Sequence, residues 1–466
     1  MAGSQYINIM KKEICLLAAL SVILSGCEEK EYIPKFEDFQ GLRITEVAAN
    51  ADKPGAHSWV EIQNTSDRDI NLYGVGLYLS DGQSQGKEIS MIADKSIKAG
   101  HRMVLSTADY SLSEGISSDS DFELVLGMSA DKNVVDKFDK EELGLNGPTG
   151  KFGSYQEIPE GSGEWKITSQ STRRMKNIDA KPNAIWVWST HMDKWIANDF
   201  AELKRLKGLG YDHVLLNYYS FDEPTRAVKA RQIIAKAREV GMLVHAWLQV
   251  FNEGGNWVNP VEDIGFGEGR YKQEEYDRII DKANGYIDEF GVDGIHLDYI
   301  RFPGTGFNQA HRWSFDNGVT GEGAITEFCK QLRESLDARA DGVMITAALM
   351  SQNNPIYYYG QNAAEMGKYL DVLMPMAYKY YSSHNNDDAW LRSVCDRFLK
   401  ASEASGAQVW AGIQTYCYQA GVAGEIEMTP DQVMADARVV RGTDCSGIVL
   451  FRYDLGDFPD LNEFWK

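Results

Sequence analysis

The chain has 466 residues, 43% hydrophobic and 25% charged, with 12 Pro and 43 Gly, a length that suggests about three domains, although a single barrel can reach about 250 residues, and that excludes a disordered chain or a small disulfide scaffold. Its 47 basic and 68 acidic residues give a net charge of −21, so nucleic acid finds no basic face and polyanions are disfavoured as partners. The 11 Trp, 23 Tyr and 18 Phe serve cores, and they also suit a cleft where flat rings stack on sugars.

At the N-terminus, Lys11 and Lys12 precede an apolar run from Ile14 to Leu24, too short for a permanent membrane span. The run ends Leu24-Ser25-Gly26-Cys27 and resembles a bacterial lipobox, which implies cleavage before Cys27 and lipidation of its thiol. Residues 1–26 are then a signal peptide and residues 27–40 a polar tether. Glu28-Glu29-Lys30-Glu31 resembles the acidic stretch of surface-exposed lipoproteins in Bacteroidetes-like bacteria. The resemblance implies a chain held at the outer membrane of the cell envelope by its lipid, with no other membrane contact expected.

From Gly41 to Asn177, short alternating runs are separated by Asn, Asp, Gly and Ser clusters, among them Leu42–Val47, Trp59–Ile62, Gly76–Leu79, Arg102–Leu105 and Phe122–Leu126. Period-two patterning of this kind predicts an all-β sandwich over residues 41–177. Ile44-Thr45-Glu46-Val47, Ser58-Trp59-Val60-Glu61-Ile62, Ile97-Lys98-Ala99-Gly100-His101 and the closing Gly153-Ser154-Tyr155 and Gly163-Glu164-Trp165 together resemble the lamin-tail domain. That module is an immunoglobulin-like sandwich appended to secreted bacterial enzymes, and the resemblance implies a spacer or adhesion role.

Over residues 181–466 the pattern becomes strand, helix, strand. Eight candidate strands are Ala184–Trp188, His213–Tyr218, Leu243–Leu248, Gly294–Asp298, Met344–Leu349, Val372–Tyr378, Val409–Gln414 and Gly447–Asp454. Amphipathic stretches at Asp199–Leu209, Ala227–Val240, Tyr276–Phe290 and Ile325–Arg339 lie between them. Several end at a glycine ahead of the next strand, as αβ loops do. This alternation predicts an α/β (β/α)8 TIM barrel. A doubly wound sheet would want a Gly-rich phosphate turn after its first strand, and none is there.

Barrel active sites form at the C-terminal ends of the strands. Strand four reads Gly294-Ile295-His296-Leu297-Asp298, followed by Tyr299-Ile300-Arg301-Phe302-Pro303. Alternation turns Ile295 and Leu297 outward and His296 and Asp298 inward. An inward carboxylate is costly unless it is used, hydrated or paired, and a buried Arg301 or Arg452 is the structural alternative to catalysis. The run Asp293–Pro303 resembles that of family-10-like glycosyl hydrolases and related glycoside hydrolase barrels, and implies that Asp298 is the catalytic carboxylate. Met374-Pro375-Met376-Ala377-Tyr378 resembles the strand-six motif of family-18 chitinase-like barrels, although Ile300 stands where that family carries its catalytic Glu.

Glycoside hydrolysis ordinarily needs two carboxyl groups. Glu253, in the loop after strand three, is the first candidate for the second and Asp454, after strand eight, the next; Asp222 and Glu223 follow strand two, and strand five ends in Gln352-Asn353-Asn354 without a carboxylate. Trp247 and Tyr378 are expected to stack on sugars, with His296, Arg301, Gln414 and Arg452 contacting substrate. His245 and His296 lack a metal-binding spacing such as HxH or HExxH, so no metal or other cofactor is expected. Cys329, Cys395, Cys417 and Cys445 allow three pairings or none. The reading is a lipid-anchored glycoside hydrolase acting on a poly- or oligosaccharide. The alternatives are a sugar-binding lipoprotein with a degenerate barrel and an adhesion protein acting through the sandwich.

Overall fold

In a computed structural model, the structure describes residues 32–464 apart from residues 54–55, 83–84, 109, 131–132, 150–152, 169–170, 175–176, 178–181, 338–342, 381–385, 404, 420 and 463. The expected signal peptide and Cys27 lie outside the described residues.

Among the described residues, the alternating N-terminal segment forms two main antiparallel sheets and a short ladder between Ile70–Asn71 and Ser96–Ile97. One has the order Trp165–Thr168, Ser154–Glu157, Leu42–Ala48, Trp59–Asn64, Arg102–Ser106; the other runs Lys87–Glu88, Val75–Asp81, Phe122–Met128, Val134–Asp139. Period two is visible where Phe122, Leu124 and Leu126 are buried while Glu123 and Val125 are half-buried. The sheets meet through aromatic rings: Tyr155 of the first lies 5.6 Å from Phe138 of the second, and Phe138 is 5.4 Å from Phe122. Such tilted contacts add to the burial of the rings themselves.

The barrel strands are Asn183–Val187, His213–Asn217, Leu243–Gln249, Gly294–Asp298, Met344–Leu349, Val372–Pro375, Gln408–Gln414 and Gly447–Phe451. They pair in parallel and in sequence, and strand eight returns to strand one to close the barrel. Strands six and eight stop short of the predicted ends at Tyr378 and Asp454. After Pro375 the backbone turns on itself, Ala377 N bonding Pro375 O and Tyr378 N bonding Met376 O, while Arg452 N bonds the Thr415 hydroxyl instead of a neighbouring strand. The four predicted helices occur at Ala201–Gly208, Pro224–Glu239, Gln273–Phe290 and Gly321–Asp337. The second begins three residues earlier than predicted because Pro224 suits a first helical position and the Glu223 side chain caps Arg226 N.

Side chains divide as the alternation requires. Ile295 and Leu297 join the layer between strands and helices, whereas Trp186, Leu215, Trp247, Met344, Met374 and Trp410 fill the interior. Three histidines lie in that interior: His213 Nδ1 is 3.0 Å from His245 Nε2, and His296 is bonded to Trp186 Nε1 at 2.9 Å and to the Thr346 hydroxyl at 2.8 Å. Burial pushes all three rings down, His245 to about 3, so they pack as neutral imidazoles. Among the described residues, no group of His, Cys, Asp and Glu is arranged to hold a metal. Gly294 makes room for this packing, since a Cβ there would lie 2.1 Å from His245 Nδ1. Gly294→Ala is therefore expected to lower stability by about 1–3 kcal/mol through overpacking, read as a lower melting temperature; a melt identical to wild type would refute it. All four cysteines from Cys329 onward are free thiols, three of them buried.

Residues 39–466 form one compact unit, and the segment after the sandwich stitches it to the barrel. Arg173 Nη1 donates to Ser405 O at 2.9 Å, and Gln408 Nε2 donates to Ser171 O at 2.5 Å. The Arg174 guanidinium lies 3.7 Å from Asp371 and from Asp337. Asp371 immediately precedes strand six and Gln408 opens strand seven. The sandwich thus docks at the N-terminal ends of the strands and leaves the opposite end open.

Candidate active site

Strand pairing fixes the first contacts. Asp298 and Gln249, the last residues of strands four and three, are register partners. Two residues back on the same face, Trp247 directs Nε1–H to Asp298 Oδ2 at 3.1 Å. The Tyr299 N–H donates to Oδ1 at 2.7 Å. Tyr299 adopts φ +51°, a left-handed conformation that costs a bulky residue energy and clusters at functional sites.

A cavity of about 550 Å³ opens at this end, within the range of small-molecule sites. Its wall comprises Trp186, Trp188, Trp247, Gln249, Asp298, Tyr299, Arg301, Ala348, Met350, Ser351, Gln352, Met376, Tyr378, Trp390, Tyr416 and Phe451. Among the described residues, Asp298 is the single carboxylate in that wall. Trp188 and Trp247 have centroids 4.9 Å apart, and Tyr378 stacks on Phe451 at 5.3 Å and 18°. Flat apolar rings around a few polar groups suit the C–H faces and hydroxyls of a sugar.

Burial pushes the Asp298 carboxyl up, opposed by the bonds from Tyr299 and Trp247 and by the nearby Arg301 charge. Arg301 lines the cavity but makes no ion pair with Asp298. Its Nη1 donates to Phe302 O and Pro303 O at 3.1 and 3.3 Å, and its guanidinium lies over the Trp257, Tyr359 and Tyr299 rings at 4.8, 5.3 and 5.4 Å. Arg452 pairs with Glu425 at 3.1 Å. The structural alternative, a counter-ion for a buried Arg, is therefore not the geometry found.

Of the expected site residues, Asp298, Trp247, Arg301 and Tyr378 come together in the cavity wall, and the others do not. Glu253 is held by Arg278 at 3.0 Å and Lys282 at 2.9 Å; these cations keep its carboxyl below the usual range despite partial burial, unlike a proton donor. Asp454 is half-exposed between His191 at 3.6 Å and Lys194 at 3.7 Å. Asp222 bonds Lys282 and the Tyr286 hydroxyl. Gln414 is buried and accepts from Tyr380 N at 3.0 Å, and His296 supports Trp186 beneath the cavity floor. Arg452 and Gln414 are absent from the wall, to which the end of strand eight contributes Phe451 and the segment after strand seven contributes Tyr416.

Sequence reasoning missed Trp188, Tyr299, Met350, Ser351 and Gln352 as wall residues, although all lie within three residues of a strand end and could have been found there. Trp390 comes from the helix Asp388–Ser402 and Tyr416 from the loop after strand seven; no strand position announces them.

Residues 224–405, which include strands three to six and Asp298, match the family DUF4015, described as "Putative glycosyl hydrolase domain". No curated protein matches the chain. Among solved structures it is similar to the PgaB (BpsB) glycoside hydrolase domain of Bordetella bronchiseptica, with 13% identity, 59% of this chain and 94% of that one covered, and a TM-score of 0.44. It is also similar to the Bacillus cereus spore cortex-lytic enzyme SleL, with 12% identity, 64% and 75% covered, TM-score 0.42. A third is the exo-β-1,4-mannosidase Op5Man5 of Opitutaceae bacterium strain TAV5, with 14% identity, 59% and 52% covered, TM-score 0.41. The family match likens the stretch from strand three to strand six to a domain described as a glycosyl hydrolase.

Proposed function

We propose that the protein hydrolyses a poly- or oligosaccharide held in the aromatic cavity, with Asp298 as the catalytic carboxyl group. The observation that carries this is a lone carboxyl at the end of strand four, half-buried among sugar-sized aromatic surfaces and fixed by two N–H donors. A carboxyl raised by burial holds its proton further toward neutrality, which suits protonation of the departing glycosidic oxygen. The attacking group is then water or a group of the substrate itself, since among the described residues no second carboxylate lines the cavity. Arg301 limits the rise by favouring the ionised form after proton transfer.

The lone carboxylate also favours a second reading, a barrel that binds sugar without cleaving it. Incubating the full chain with β-glucan, xylan, mannan and chitin oligosaccharides and measuring reducing ends separates the two. Release of sugar is expected from at least one. Saturable binding with no release from any would overturn the hydrolase reading in favour of the binding one. The same proposal includes a lipid at Cys27, location at the outer membrane, and a lamin-tail-like sandwich that acts as a spacer; it is supported by the lipobox and strand motifs and by the docking of the sandwich away from the cavity.

A further inference from the structure

Apolar rings at the open end of the barrel extend beyond the cavity. The loop after strand three contains a hairpin, Val261–Gly265 with Glu268–Tyr271, whose tip carries Phe266 fully exposed at 106% between two glycines of positive φ. Phe266 itself has φ +58°, a strained setting for an aromatic residue. Phe307, in the loop after strand four, is 83% exposed. After strand five, Ile356 and Tyr357 are also exposed. Strain and exposure both cost stability, so rings presented in this way call for a ligand.

These loops are one connected surface. Asp316 N bonds Gly267 O at 2.8 Å and Asn317 Nδ2 bonds Gly269 O at 2.8 Å, tying the hairpin to the loop after strand four. Arg312 lies 5.2 Å from the Phe307 ring, and His311 beside it stacks on Tyr357 at 3.6 Å and 11°. Inward, Phe302 N bonds Tyr359 O at 3.0 Å and the Tyr359 ring lies under Arg301, which lines the cavity.

We infer that this rim is an outer binding track for a polymeric, uncharged glycan, with Phe266 and Phe307 as stacking platforms outside the cavity. The inference rests on the proposed carbohydrate specificity and extends it to chain length. A cavity of about 550 Å³ encloses only a drug-sized length of ligand, so a longer chain must continue over the rim. The hairpin carries Glu262, Asp263 and Glu268 against Arg270, which repels an anionic lipid surface or polyanionic chain and leaves a neutral polymer as the occupant.

The test is electrophoresis of the full chain through native gels containing hydroxyethylcellulose, xylan, yeast mannan or glycol chitin, beside sedimentation with phosphatidylcholine and phosphatidylglycerol vesicles. Wild type should be retarded by at least one polysaccharide, and the double variant Phe266→Ala/Phe307→Ala should bind it about tenfold more weakly, the usual scale for loss of aromatic anchors. Its melt should stay unchanged, and Phe266→Trp/Phe307→Trp should restore retardation. No retardation by any polymer, equal retardation of the alanine variant, or vesicle binding that the alanine variant loses would each overturn the inference. Asp298→Asn keeps the two proposals apart. If it and wild type are retarded through the rim but wild type releases no sugar, the hydrolase reading alone fails; hydrolysis with a rim that does not bind removes the track alone.

Discussion

Asp298→Asn should lower hydrolysis on the order of 10³-fold or more, the cost of losing a group that transfers a proton or forms a bond in the transition state. The fold should survive. Asparagine can still accept from Tyr299 N–H or Trp247 Nε1–H through its one oxygen, and no cation is left unpaired because neither Arg301 nor Arg452 forms an ion pair with Asp298. A melt close to wild type is therefore expected beside the lost activity. A large fall in melting temperature with activity retained per folded molecule would make Asp298 structural. The pH profile tells which half of the reaction it serves. A proton donor must be protonated, so activity should fall as pH rises through its raised pKa. A rise in activity over that range would instead make the ionised form a base or nucleophile. Trp247→Phe removes one donor to the carboxylate and should move the limb toward higher pH.

The fold was largely legible because it is written in periodicity. Period two over Phe122–Met128 and the strand–helix alternation after residue 181 each report which face is buried, and burial is what a sequence encodes most directly. Asp298 was legible for the same reason, as a charge at an inward position of an otherwise apolar strand. Its partner was not. Glu253 follows strand three just as Asp298 ends strand four, and nothing in its neighbourhood in sequence announces that Arg278 and Lys282, on the next helix, claim it. Asp454 was misplaced through a strand end set three residues late. Ion pairing across loops and the last residues of strands are decided by tertiary contacts, which periodicity does not carry. The docking of sandwich on barrel escaped for a related reason: Glu46 and Glu61 are fully buried, and nothing in the strand motifs that contain them announces it.

Glu46→Gln should gain stability over wild type as pH rises, the difference growing by on the order of 2–4 kcal/mol between pH 6 and pH 9. Glu46 and Glu61 are register partners on adjacent strands. Glu61 meets the Arg102 guanidinium at 3.2 Å and accepts from Arg174 N at 2.6 Å and the Thr45 hydroxyl at 2.9 Å. Among the described residues no cation lies in hydrogen-bond reach of Glu46; Ser154 Oγ donates to it at 2.5 Å and Thr172 N at 2.8 Å. The Thr172 hydroxyl is 3.0 Å from both Glu46 Oε2 and Asn177 Oδ1. Asn177 Nδ2 donates to Thr45 O and Glu157 O, so its Oδ1 is an acceptor. One hydroxyl has one proton and cannot serve two acceptors. Glu46 must then supply a proton of its own, which is the neutral carboxylic acid. Burial and the Glu61 charge push it up accordingly, from 4.5 to about 8. A carboxyl with a raised folded pKa binds more protons folded than unfolded between those values, so its stabilising contribution is present below pH 4.5 and is lost as pH rises to about 8. Glu61, with Arg102 on the sheet, Glu160 in the turn after Ser154–Glu157, and Arg173 and Arg174 in the connecting segment, completes the charged surroundings. Glutamine reproduces the neutral acid, with an amide N–H toward Thr172 and an oxygen toward Ser154, and does not titrate. Wild type should therefore lose melting temperature between pH 6 and 9 while Glu46→Gln stays level. Parallel curves for the two proteins would assign the titration to another group, and a variant less stable at every pH would mean that Glu46 is ionised where it meets Thr172.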